Sequence, residues 1–182
     1  MASATLRPNG TSFNTFTLTG GATTAHGTLG EVVTQPTTPS GTDGLTTSGG
    51  DTANVAITLP EIPNLISIIS AKVWVYHESY EVGFGGTEIH VSLYDGVDNI
   101  VDDEIIYQSE VPGVTQGWVN SSSVSTSNQL QSITITGSPS QETSQVILRA
   151  AYIEVTYTAS SGGLILAGKV RHGVTLQSGV NI

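Results

Sequence analysis

The densest group of side chains able to do chemistry lies between Asp95 and Glu104. Asp95, Asp98, Asn99, Asp102, Asp103 and Glu104 set hard oxygen donors close together along the chain. Calcium takes about six to eight oxygen ligands at roughly 2.3–2.6 Å, so Asp95, Asp98, Asp102 and Asp103 form a candidate calcium loop. Their spacing does not follow the EF-hand pattern. The plainer expectation is a solvated acidic loop that keeps the protein soluble. The histidines are His26, His77, His90 and His172. None has a second histidine or a carboxylate at metal-ligand spacing, apart from the adjacent His77-Glu78, so a zinc site is not expected. No G-x-S-x-G elbow, H-E-x-x-H or phosphate-binding glycine loop occurs. Triads assemble across a chain, and the serines here are too numerous to single one out. The expectation is a protein that is not an enzyme and needs no cofactor, calcium apart.

A second group is aromatic. Trp74, Tyr76, Tyr80, Tyr94 and Trp118 lie on strand-like segments. Trp74 and Trp118 are the candidate ligand residues, since aromatic faces stack on sugar rings through apolar contact. Packing in a core or rim is the commoner fate of a strand aromatic. A third group is the tail. Leu164, Lys169 and Arg171 belong to a stretch, 164–182, that has apolar runs and no acidic residue. In an acidic protein such an arm is a candidate subunit contact, adding a strand to a neighbour's sheet edge. The alternative is a final hairpin of the same domain.

The elements that must carry these groups read as strands. Gln145 to Thr158 is the longest strand-forming run near the C-terminus, with apolar residues on both parities. Alternate side chains of a strand point to opposite faces, so both faces should be covered and the strand central. Arg149 and Glu154 interrupt it, and each needs a partner or an exit to water. Ala2 to Pro8, Phe13 to Thr19, Leu29 to Thr34, Ala53 to Leu59, Leu65 to Glu78 and Glu88 to Asp95 also read as strands. So do Ile105 to Glu110, Val114 to Val119 and Leu130 to Thr136. Strands at about 8–12 residue spacing with no convincing helix predict an all-β antiparallel β-sandwich, jelly-roll-like. The domain should span 1–160, with a long polar loop at 20–52, followed by a C-terminal arm or final hairpin at 161–182. That loop either hangs free or lies as an arm on a neighbouring subunit.

Composition narrows the function classes. Over 182 residues, 37% apolar and 11% charged content suits a single domain with a core. Five Lys+Arg against fifteen Asp+Glu give a net charge of -10. Clustered cations for phosphate contact are missing, so neither nucleic acid nor an anionic membrane is an expected partner. There is no cysteine, hence no disulfide framework. The opening MASATLRPNG has no apolar run after a basic region and does not read as a secretory signal.

The opening A-T-L-R-P-N-G, the middle I-P-N-L-I-S-I-I-S-A-K-V-W-V, then V-S-L-Y-D-G and the late A-Y-I-E-V-T-Y-T together resemble β-sandwich structural proteins of tailed bacteriophages. These are head decoration (cement) proteins or tail appendages. The resemblance covers roughly 4–158 and rests on packing patterns, so it transfers no site residue. It implies a virion structural protein, foremost a capsid decoration protein that stabilises the phage head through subunit contacts. The implied partners are the major capsid protein and further copies of the chain, with a trimer favoured. The implied place is the virion exterior, after assembly in the host cytoplasm. The alternatives are a carbohydrate-binding module of a tail appendage and a subunit of an extracellular filament.

Overall fold

A computed structural model describes residues 1–47, 50–82 and 85–160. They form two antiparallel sheets packed as an all-β sandwich. The strands are β1 (Ala2–Leu6), β2 (Gly10–Asn14), β3 (Thr17–Thr19), β4 (Gly44–Thr46), β5 (Ala53–Thr58), β6 (Leu65–Glu81), β7 (Thr87–Tyr94), β8 (Asn99–Ser109), β9 (Gly113–Asn120), β10 (Val124–Thr126), β11 (Ser132–Pro139) and β12 (Gln145–Ala159). One short helix, α1 (Ala25–Leu29), lies between β3 and β4.

The larger sheet is built on β6 and β12, which pair along nearly their whole lengths. The free side of β12 is shared by β4 at Ile147–Leu148 and β1 at Ile153–Tyr157. The free side of β6 is shared by β9 and β10. The second sheet runs β2-β5-β11-β7-β8. Between the sheets, Val73, Val75, Leu148, Ala151, Ile153 and Val155 meet Val55, Ile57, Ile89, Val91, Leu93, Ile133 and Ile135, all buried. Each large aliphatic side chain placed there contributes about 1.5–3 kcal/mol relative to exposure.

The expected central strand is β12, and a bulge explains its double apolar parity. The register with β6 shifts between Leu148 and Ala150, with Arg149 as the extra residue. Val146 and Leu148 point inward before it; Ala151, Ile153 and Val155 point inward after it. The shift turns Tyr152 and Glu154 to the outer face, as bulges re-aim side chains.

Four expectations are corrected. Leu29 to Thr34 is not a strand: helix α1 ends at Leu29, capped at its start by the Thr24 hydroxyl accepting from the Gly27 amide. Phe13 to Thr19 is split, because the Asn14 side chain accepts from the Phe16 amide and donates to the Phe16 carbonyl, turning the chain. The acidic stretch is mostly strand, since β8 begins at Asn99. The long polar loop neither hangs free nor leaves the domain where it is described. Ala25, Leu29 and Leu45 are buried in the core, and the 31–37 stretch lies on the outer face of the larger sheet.

Candidate functional site

The outer face of the larger sheet carries the aromatic group. Trp74 on β6 lies directly opposite Tyr152 on β12, and Tyr76 on β6 opposite Trp118 on β9. The Trp74 and Tyr152 rings stack at 6.2 Å and 16°. Trp118 meets Tyr152 and Tyr76 edge to face, each at 5.4 Å. Cations close the two ends of the stack: Arg7 lies 5.8 Å from the Tyr152 ring and Lys72 5.8 Å from the Trp74 ring. Such contacts contribute about 0.5–1 kcal/mol each where solvent reaches them.

The loop after α1 covers part of this face. Arg7 donates to the carbonyls of Glu31 and Val33. The Trp118 indole donates to the Thr37 carbonyl at 2.9 Å, and the Tyr152 phenol accepts from the Gln35 amide. Burial raises the Tyr152 pKa above its ordinary value, against the lowering effect of the Gln35 amide. The Trp74 indole donates to Glu154 at 3.2 Å. A small polar cleft opens beside the stack, lined by Thr5, Thr34, Gln35, Tyr152 and Glu154.

The structure therefore brings the candidate residues Trp74 and Trp118 together on one face, with Tyr76. Tyr80 lies at the far rim, and Tyr94 belongs to the other sheet. Sequence reasoning missed Tyr152, Arg7 and Gln35 as members of the group. The usable signal was Glu154, a carboxylate in an apolar strand that had to find a donor, and Trp74 is that donor. Arg149 has an equivalent solution. Its guanidinium makes a two-point contact with Glu78, Nε to Oε1 at 2.5 Å and Nη2 to Oε2 at 2.9 Å, and donates to the Asp43 carbonyl. The Glu78 hydrogen bond raises the Arg149 pKa, against desolvation. Replacing Arg149 with Met should cost about 1–2 kcal/mol in urea unfolding, because Glu78 then stands half-buried without its cation. The double variant with Glu78→Gln should regain part of that loss.

The four carboxylates of the candidate calcium loop do not converge. Asp95 accepts at Oδ1 from the Val97 and Asp98 amides and at Oδ2 from Thr126 and Asn128. Asp102 accepts from the Asn99 amide group. Asp103 faces His90, and Glu104 holds the backbone and hydroxyl of Ser122. No three His, Asp or Glu side chains among the described residues gather as a metal site. His90 sits between two carboxylates, with Glu88 at Nε2 and Asp103 at Nδ1. These occupy opposite edges of the ring and cannot share an ion.

A buried polar row closes one end of the core. His77, Ser79 and Glu81 are the inward residues of the last part of β6. His77 Nδ1 meets the Ser79 hydroxyl at 2.9 Å, and its ring lies 4.1 Å from that of Tyr107. Glu81 accepts from Thr87 and Ser144, fixing the start of β7 and the turn before β12. Burial lowers the His77 pKa to about 4, against the attraction of Glu78. The subunit-contact candidates Leu164, Lys169 and Arg171 lie outside the described residues.

No protein-family model matches the chain. No curated protein matches it. Among solved structures it is similar to the CBM22-1 and GH10 modules of the N-terminal endo-1,4-β-D-xylanase 10B of Clostridium thermocellum, complexed with xylohexaose. The identity is 16% and the TM-score 0.37, over 66% of this chain and 24% of that one. A likeness at that level says nothing of what this chain binds.

Proposed function

We propose that this chain is a structural protein of a virion, a decoration protein that binds the outside of a phage head and stabilises it through subunit contacts. The observation that carries this reading is an apolar rim at one end of the sandwich. Val111 and Val114 are 71% and 68% exposed, and Tyr80 and Val82 stand beside them, also exposed. The register places them together, since Tyr80 pairs with Val114 and Glu81 with Gly113. A cluster of exposed apolar side chains on an acidic protein marks a contact surface. The work of such a protein is area burial and strand pairing, with the major capsid protein and with other copies in a small oligomer, a trimer being favoured. Its place is the virion exterior after assembly in the host cytoplasm. Light scattering of the eluting protein should give a discrete multiple of 18.9 kDa. Val111→Asp with Val114→Asp should reduce it to the monomer while the melt stays cooperative. A wild-type monomer that also fails to sediment with undecorated phage heads overturns the reading.

A second reading is a carbohydrate-binding module. Its supporting observation is the stack of Trp74, Tyr152 and Trp118 beside a cleft whose Gln35, Thr34, Thr5 and Glu154 suit sugar hydroxyls. On that reading Trp74→Ala should abolish retention on a glycan array and leave the fold intact. Equal retention of wild type and variant would exclude it.

A further inference from the structure

Of the sheet edges among the described residues, β9 alone is long, unshifted in register and uncharged. Proteins guard edges with charges, bulges, proline or shortness, because an open edge templates another strand. β8 carries Asp102, Asp103 and Glu104, three register shifts and a positive φ of 46° at Asp103. β2 has a register shift and is tied to α1 through Thr11 and His26. β1, β3 and β10 have five, three and three residues. β9 has eight, GVTQGWVN, paired to β6 without a shift, its only positive φ values falling on the near-extended Gly113 and Gly117 at 146° and 158°. Gly113 to Gln116 are exposed, and a side-chain carbon added at Gly113 or Gly117 would meet nothing within 4 Å. Glycine without neighbours in a strand leaves room for close backbone approach.

Charge says what fits there. Residues 1–160 hold three basic and all fifteen acidic side chains, 3 − 15 = −12. Residues 161–182 hold two basic and no acidic ones, 2 − 0 = +2. Within them Leu164–Arg171 puts Leu164, Leu166 and Val170 on one strand parity, and Lys169 and Arg171 at the end of the other. It matches β9 in length. Acid flanks β9 at both ends: Glu110 precedes it, and Glu104 holds Ser122 just beyond it.

We propose that the free edge of β9 accepts Leu164–Arg171 of a second copy as an added strand, which rests on the decoration reading and gives its subunit contact a place. Main-chain hydrogen bonds supply affinity, Leu166 and its neighbours cover the Val114 rim, and the two cations answer the flanking acid.

The chain has no cysteine, so pairing can be trapped cleanly. A tagged Val114→Cys variant is mixed with an untagged Leu166→Cys variant under mild oxidation. The expected product is a disulfide-linked heterodimer that outweighs the homodimers each variant forms alone. Lys169→Glu with Arg171→Glu, in the full chain, should convert the wild-type oligomer to monomer. A doubly substituted Val114→Cys, Leu166→Cys chain that closes within itself and stays monomeric overturns the proposal, since the segment then lies on its own β9. An oligomer that persists in the charge-reversed variant, with no heterodimer, overturns it and leaves the decoration reading standing. A wild-type monomer that binds no heads removes both.

Discussion

Between pH 7 and pH 4 the folded state should lose about 3 kcal/mol of stability, and the group responsible is His77. Its side chain is 1% exposed, under the Tyr107 ring, and burial brings its pKa from 6.5 to about 4. In the unfolded chain the imidazole takes up a proton near pH 6.5; in the folded chain it stays neutral until about pH 4. Across that window the unfolded state binds more protons, so stability falls as pH falls. A shift of about 2.5 units at roughly 1.4 kcal/mol per unit sets the size. Urea titrations at pH 7, 5.5 and 4 measure it. His77→Leu removes the titrating group, and its stability should be nearly flat over the same range. A wild-type curve without slope there, or a slope that survives in His77→Leu, would falsify the assignment.

Asp95→Ala should cost a further 2–3 kcal/mol at pH 7, roughly the loss of several charge-assisted hydrogen bonds whose donors cannot all rehydrate. The carboxylate ties together the β7–β8 turn through Val97 and Asp98 and reaches the other sheet through Thr126 of β10. Its loss should loosen both, visible as faster amide exchange at Val97, Asp98 and Asn128. Burial raises the Asp95 pKa, but the Asp98 amide, Thr126, Asn128 and the Val97 amide outweigh it and bring the value to about 2. Its contribution is complete above pH 3.8 and is lost as pH falls through 2, a window below that of His77. Asp95 is 4% exposed, but its turn neighbours Val97, Asp98 and Asn99 are exposed, so solvent screening trims this acid loss to about 1–2 kcal/mol. Asp95→Asn, which keeps one acceptor, should fall between wild type and Asp95→Ala. Identical stabilities for all three would sink the account.

The sandwich was legible wherever strand periodicity was undisturbed. Ala53 to Leu59 and Glu88 to Asp95 alternate cleanly, and β5 and β7 lie there within a residue. β12 was legible in place and in its central position, but its facing was not. One extra residue at Arg149 flips every side chain after it, and no periodicity carried through a bulge can show that. Helix α1 was hidden because AHGTL is one turn with a glycine inside, too short for a helical stripe. The acidic stretch misled in a different way. Carboxylates close in sequence look convergent, but a strand sends alternate ones to opposite faces, and Asp95 finds two of its four donors some thirty residues away, on β10 and just beyond it. The aromatic face was half legible. Trp74 and Trp118 were visible as residues, whereas their meeting over Tyr152 depends on β6 lying between β9 and β12.

The pairing of β1 with β12 has a mechanical consequence. Ala2 stands opposite Tyr157, so the first residue and Ser160 leave the sandwich side by side at one end. Tension between those two points would peel the five rungs from Ala2↔Tyr157 to Leu6↔Ile153 one after another, as a zip opens, and would not load them together in shear. The sandwich should yield at low force when stretched between Met1 and Ser160, and hold far longer when pulled through β6 and β12 along their common length.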